Sequence, residues 1–228
     1  MITANSIFLE LRTDRALDPL LNRFDFSQED QFSKISSFCK KNDLDEVFFL
    51  LLTRSFSEME HCVEEDFSDV DVKQIIRYLK ASHNYYQFKI LPEIEQTSNR
   101  LAQDLDVQSP LMIYLVSFIN SYKEELLDHI HEEEKKFFPY VLQLRSGKRT
   151  DDYSVAQFER FHEKHQFEID LARKVLMAIG APREFQSQLR FLDNQMKILQ
   201  KDMVVHEFIE DLILVNKARS LEKALLIN

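Results

Sequence analysis

Residues 125–134 read ELLDHIHEEE, and residues 202–211 read DMVVHEFIED. Each stretch holds a histidine with a glutamate four positions later and a carboxylate four positions earlier: Glu125, His129 and Glu133 in the first, Asp202, His206 and Glu210 in the second. Residues four apart on an α-helix are about 40° apart around its axis, so each triplet lies along one face. One His-x3-Glu pair carries little weight, because charged residues recur on any exposed helical face. Two copies carry more, and the doubling extends upstream. His83 precedes the first triplet and His165 the second, each on the preceding helical segment. The chain therefore reads as two copies of one unit, a helix with a histidine, a turn, and a helix with acid-x3-His-x3-Glu. The likeness between the copies is confined to residues able to hold a metal.

Working outward, the punctuation of the chain supplies the helices. There are only two glycines and five prolines in 228 residues. That scarcity suits long helices and leaves too few turns for a sandwich or a doubly wound sheet. Gly147 and Gly180 stand where helices should stop, the second with Pro182 two residues on. Ser109-Pro110 reads as an N-cap with proline at the first helical position, and Ser68-Asp69 and Ser154 are further N-cap candidates. These signals mark helices at about 70–103, 109–146, 154–179 and 183–219. Each has an apolar stripe at helical spacing, such as Leu111, Tyr114, Leu115, Phe118, Tyr122 and Leu126. Pro92 should kink the first of them. The expected architecture is all-α: an antiparallel up-down four-helix bundle over 70–228, preceded by a small helical N-terminal domain over 1–55. The acidic stretch 56–69, which lacks a clear period, reads as the linker.

Depth in the bundle gives an independent check on the histidines. His83 stands 20 positions before residue 103 and His129 stands 20 positions after residue 109, so an antiparallel pair of helices puts them at one level. His165 and His206 match less well about their own turn: the offset is 8 residues, or about 12 Å along a helix. His162, one turn before His165, competes with it, and His165 is preferred. His131 points away from His129 and is expected in solvent, as are Glu132 and Glu134. His61 reads as structural or solvated. Tyr86 shares a face with His83, so it either lines the site or belongs to the core.

Four imidazoles and two carboxylates in a helical core suit two first-row transition ions, iron or manganese rather than calcium, and no thiolate cluster points to structural zinc. Two histidines for each ion and two bridging glutamates would leave positions for an oxo bridge and a small molecule. Glu125 and Asp202 are placed to accept the hydrogen bond of the outer ring nitrogens of His129 and His206.

Composition narrows the class further. A net charge of −10 argues against a nucleic-acid surface. The longest uncharged apolar stretch, Pro110 to Ile119, is about half of the roughly 20 residues a membrane span requires. No basic segment followed by an apolar run opens the chain, so no signal peptide is expected. Cys39 and Cys62 read as buried or free thiols of a reducing cytoplasm.

These residues also resemble a known family. Ser82-His83-Asn84-Tyr85-Tyr86 followed by Leu91-Pro92, the run from Glu125 through His129 and Glu133 to Phe137-Phe138-Pro139, Glu163-Lys164-His165, and Asp202-x3-His206-x3-Glu210 are similar to the four metal helices of the repair-of-iron-centres proteins. The resemblance covers about residues 70–219 and implies a hemerythrin-like bundle. It further implies an oxo-bridged non-haem diiron centre held by His83, His129, Glu133, His165, His206 and Glu210. The implied role is cytoplasmic repair of iron–sulfur proteins damaged by nitric oxide or oxidative stress, by iron donation as a carrier or by nitric oxide removal as an enzyme. The other reading is a hemerythrin-like sensor that binds dioxygen and acts through a protein partner. The oligomeric state stays open, a homodimer included. The N-terminal part departs from the family: Asp25-Phe26-Ser27-Gln28 stands where members usually read Asp-Phe-Cys-Cys. Many members also carry a histidine between the first two ligands, where this chain has none and Asp104 lies in the neighbourhood. Val215-Asn216 replaces the Phe-Pro ending of the last helix.

Overall fold

The computed structural model describes residues 2–24, 29–105, 109–162, 169–180 and 182–227. Among these, helices account for nearly all regular structure, with one isolated β-bridge between Ile7 and Lys34. Four short helices come first: α1 (Phe8–Leu11), α2 (Asp18–Leu21), α3 (Ile35–Lys41) and α4 (Glu46–Ser57). Helix α5 is built from Val72–Tyr85, a π-helical turn Tyr86–Ile90, and Leu91–Asp104. Helix α6 follows the same plan, with Pro110–Glu132, a π turn Glu133–Phe137, and Phe138–Arg145. Then come α7 (Val155–His162) and α8 (Ile169–Ala178). The last, α9, comprises Gln186–Glu207, a π turn Phe208–Leu214, and Val215–Ile227. No helix among the described residues is long and apolar enough to cross a membrane.

Cap chemistry explains several of the ends. Gly147 adopts φ +77°, the left-handed region that favours glycine. Its N–H donates to the Leu144 carbonyl, and the next N–H, of Lys148, donates to Gln143, closing α6 in a Schellman motif. The Ser154 hydroxyl accepts from the Gln157 N–H and caps α7. At α5 the expected cap is corrected. Asp71, not Ser68-Asp69, does the work, its carboxylate accepting the Lys73 N–H at 2.9 Å. Ser68 is the end of a 3-10 turn, Glu64–Phe67, and cannot also open the helix. Helix α9 runs on to Ile227, past the expected stop near 219, because no glycine or proline interrupts 215–227.

Two compact units divide the chain. One comprises Met1–Ser82, Val141–Arg149 and Val204–Asn228; the other comprises His83–Tyr140 and Thr150–Met203. The divisions fall within α5, α6 and α9. The second unit is a bundle of four helical segments around one apolar core. Leu91, Ile94 and Leu101 of α5 meet Met112, Leu115 and Ile119 of α6, and Ala172 and Leu176 of α8 join Leu192 and Met196 of α9. Helices α5 and α6 run antiparallel: Glu95 pairs with Lys123 at 2.6 Å and His83 with Glu134 at 2.8 Å, residue numbers falling on one helix as they rise on the other. The first unit has an aromatic core, in which Phe38 touches Phe8 at 4.7 Å and Phe49 at 5.9 Å between ring centroids. Arg23 ties the short helices to α5. Its guanidinium lies over the Tyr78 ring, and its Nε donates to the buried Ser82 hydroxyl at 2.7 Å. The stretch 56–69 lacks a helical period because, past the end of α4 at Ser57, its regular structure is two 3-10 turns, Met59–His61 and Glu64–Phe67. Phe67 is wholly buried against the rings of Phe48 and Phe208.

Candidate metal centre

Within the four-helix unit, α5 supplies His83 and α6 supplies His129 and Glu133. All three are buried, His83 and Glu133 completely. Glu133 stands between the two imidazoles. Its Oε2 lies 2.9 Å from His83 Nε2, and its Oε1 lies against His129 Nε2. Neither contact is a well-aligned hydrogen bond. Such an arrangement aims a nitrogen and an oxygen lone pair at shared space, as two donors to one cation do. Burial pushes the Glu133 carboxyl up, but the charges of His129 and His83 outweigh it and hold the group well below the usual carboxylate range. The side chain is therefore an anion in the core.

Helix α7 brings a third histidine. His162 is half-buried, and one of its ring nitrogens lies within 4.8 Å of ligand atoms of His129 and Glu133. Its ring centroid is 4.7 Å from that of His129. Aromatic rings brace the imidazoles. Phe138 stacks on His83 at 5.6 Å and Phe161 on His129 at 5.9 Å, and Phe158 lies 5.2 Å from His162 and is itself stacked on Phe137 at 3.7 Å. These contacts limit ring rotation and keep water from the donors. On α9, in the other unit, His206 and Glu210 are likewise buried, and His206 Nε2 is 3.7 Å from Glu210 Oε2. His165, the preferred fourth histidine, lies outside the described residues, as does the Asp25–Gln28 stretch.

The outer partners differ from expectation. Glu125 is exposed, and the hydrogen bond expected between it and His129 Nδ1 is not formed. Asp202 is fully buried. Glu134 is not part of a solvated face: its Oε1 lies 2.8 Å from His83 Nδ1. Consecutive glutamates thus meet the two nitrogens of one imidazole, Glu133 at Nε2 and Glu134 at Nδ1. His131 is exposed, as expected, whereas Glu132, also expected in solvent, is mostly covered and pairs with Lys136 at 2.7 Å.

No family model matches the sequence. Among curated proteins, the chain is similar to the iron-sulfur cluster repair protein ScdA of Staphylococcus haemolyticus (strain JCSC1435). The two are 21% identical over 227 residues, spanning 95% of this chain and 99% of that one. The match supports the repair-of-iron-centres family.

The buried donor set has the chemistry of a transition-metal site. Imidazole nitrogens and an anionic carboxylate suit a first-row transition ion, and a carboxylate with donors at both oxygens can span two. Two features of the site escaped the sequence reading. Glu134 was masked by its place in a run of three glutamates. The π turns, beginning three residues after His83, four after His129 and two after His206, break the 3.6-residue period without leaving a compositional trace. One signal was available: Pro92 and Pro139 each stand two residues beyond a π turn. A proline ring cannot accept the tight α geometry against the carbonyl four residues back, and a wider turn relieves the clash.

Proposed function

We propose that this protein is a non-haem diiron protein serving the repair of iron–sulfur clusters damaged by nitric oxide or oxidative stress. The observation that carries the reading is Glu133, a fully buried carboxylate with an imidazole Nε2 at each oxygen and no well-aligned hydrogen bond to either. In this reading His83, His129 and His162 join Glu133 as ligands, and the sequence repeat supplies two more, His206 and Glu210. His162 takes the place first given to His165. It stands 18 residues before Gly180 rather than 15, which cuts the offset from His206 to 5 residues, or about 7.5 Å.

An iron pair held there would supply binding of a small diatomic ligand, or ferrous iron for a client cluster. The residues hold it by distinct means. Glu133 and the imidazoles would hold the metal, and the rings of Phe138, Phe161 and Phe158 keep these donors fixed and dry. The relative whose name records cluster repair supports the same role.

The test is metal analysis and an optical spectrum of protein purified under iron-replete conditions, followed by restoration of a nitric-oxide-damaged iron–sulfur enzyme. Two irons per chain and near-ultraviolet charge-transfer bands are expected, with faster recovery of the damaged enzyme. A chain that stays metal-free, or keeps a single zinc, overturns the reading. Turnover of nitric oxide separates the enzyme from the carrier.

A further inference from the structure

We propose that Glu134 sets how fast iron leaves the His83 side of the centre, acting on the metal through the imidazole as a positioning residue. The inference rests on the diiron reading above and deepens it by naming what regulates release. Three observations carry it. First, Glu134 Oε1 is 2.8 Å from His83 Nδ1, hydrogen-bond distance for an imidazole that carries its proton there. That proton assignment leaves Nε2 bare, and Nε2 is the nitrogen that faces Glu133 Oε2 at 2.9 Å. Second, His83 has no exposed surface whereas a third of the Glu134 side chain is exposed, at 33%. The pair therefore links solvent to a buried ligand through one hydrogen bond. Third, the carboxylate cannot be replaced by its neighbours: Glu133 occupies the other side of the same ring, and Glu132 is engaged with Lys136.

The physical consequence is definite. A carboxylate accepting the outer N–H of a ligating histidine fixes the tautomer, holds the ring plane and makes the inner nitrogen a stronger donor. Weakening that hydrogen bond weakens one ligand of one ion. Iron on the His83 side then loosens before iron elsewhere, so an iron donor releases one ion first.

The experiment compares Glu134→Gln, Glu134→Ala and the control Glu132→Ala with the unmodified protein. Each is loaded with ferrous iron and mixed anaerobically with excess chromophoric chelator. Two kinetic phases are expected. In Glu134→Ala the faster phase, accounting for one iron, speeds up by about 10-fold or more, within the roughly 10–100-fold range such outer partners command. Glu134→Gln keeps an acceptor oxygen but loses the charge, so it falls between that variant and the unmodified protein. Glu132→Ala releases as the unmodified protein does. A second readout needs no metal. In the metal-free protein the His83 Nδ1 proton should give a slowly exchanging downfield resonance that survives in Glu134→Gln and disappears in Glu134→Ala. Equal release rates in all four proteins, equal acceleration of both phases, or an unchanged Nδ1 resonance in Glu134→Ala overturns the proposal. An unmodified protein that binds no iron overturns the diiron reading itself, a different result from two bound irons insensitive to Glu134.

Discussion

Replacing Glu133 with methionine separates a functional carboxylate from a structural one. The side chain has no exposed surface. Burying an ion costs several kcal/mol even after the protein relaxes around it, and replacing a buried ionic group by an apolar one of similar volume is often neutral or stabilising, by about 1–4 kcal/mol. Methionine matches glutamate in length and helix propensity, so little else should change. The measurement belongs at about pH 8, above the ordinary imidazole range. Metal-free Glu133→Met should then be as stable as the metal-free parent, or more stable by up to about 4 kcal/mol. At roughly 2–4 °C per kcal/mol for a chain of this size, the melting temperature rises by as much as about 16 °C. Iron reverses the order. Ligand at about one hundred times its Kd stabilises the parent by about 2.7 kcal/mol and should leave the variant unmoved. Urea unfolding of chelator-treated and iron-loaded protein, followed by far-ultraviolet circular dichroism, reads both effects. A metal-free variant less stable by about 3–5 kcal/mol, the usual cost of breaking a buried ion pair, would make Glu133 a structural residue and refute the reasoning.

Other changes test separate parts of the molecule. Cys39 has its thiol pushed up to about 12, by burial first and then by the carboxylates of Glu46 and Asp45. In a Cys62→Ser background the folded protein should therefore leave a disulfide reagent almost unconsumed at neutral pH; rapid modification would contradict this. His162→Ala should lose iron while the exposed His131→Ala keeps it. If His165→Ala empties the site and His162→Ala does not, the fourth histidine reverts to His165. Phe137→Ala removes a fully buried ring stacked on Phe158 and should cost about 3–5 kcal/mol in denaturant unfolding, with Phe137→Leu losing less. Equal losses in the two would show that the stack is not what matters there.

Much of this was legible before any coordinates, and the reasons can be named. Counting residues from the turn placed His83 and His129 at one level, and both imidazoles meet Glu133. Pro110 and Gly147 marked the ends of α6 and Ser154 the start of α7, whereas Ser109 holds the N-cap position without a side-chain cap bond. What stayed hidden was finer than a helical period. Whether Glu125 or Glu134 serves an imidazole depends on rotations of a few tens of degrees, and a π turn alters such rotations midway along a helix. The cap at Asp71 was missed because the 3-10 turns ahead of it carry no period, so the start of α5 was read too early.

The π turns also say something about the repeat. The two acid-x3-His-x3-Glu copies differ at their first residue, Glu125 being exposed and Asp202 buried. They share the later part: a buried histidine and then a buried glutamate inside a π turn, Glu133 in Glu133–Phe137 and Glu210 in Phe208–Leu214. Proline explains the turn in α6, where Pro139 follows, and the one in α5, where Pro92 follows. It cannot explain the turn in α9, which is followed by Val215-Asn216. A wide turn is rare and poorer in backbone geometry than an α turn, and short π segments are found mostly at functional positions. Finding three, each within four residues after a buried histidine, argues that the turns serve the donors rather than the prolines. The prolines stabilise a wide turn in two helices; in the third, the sequence forms the wide turn without that help, at the residue where the repeat requires its second glutamate.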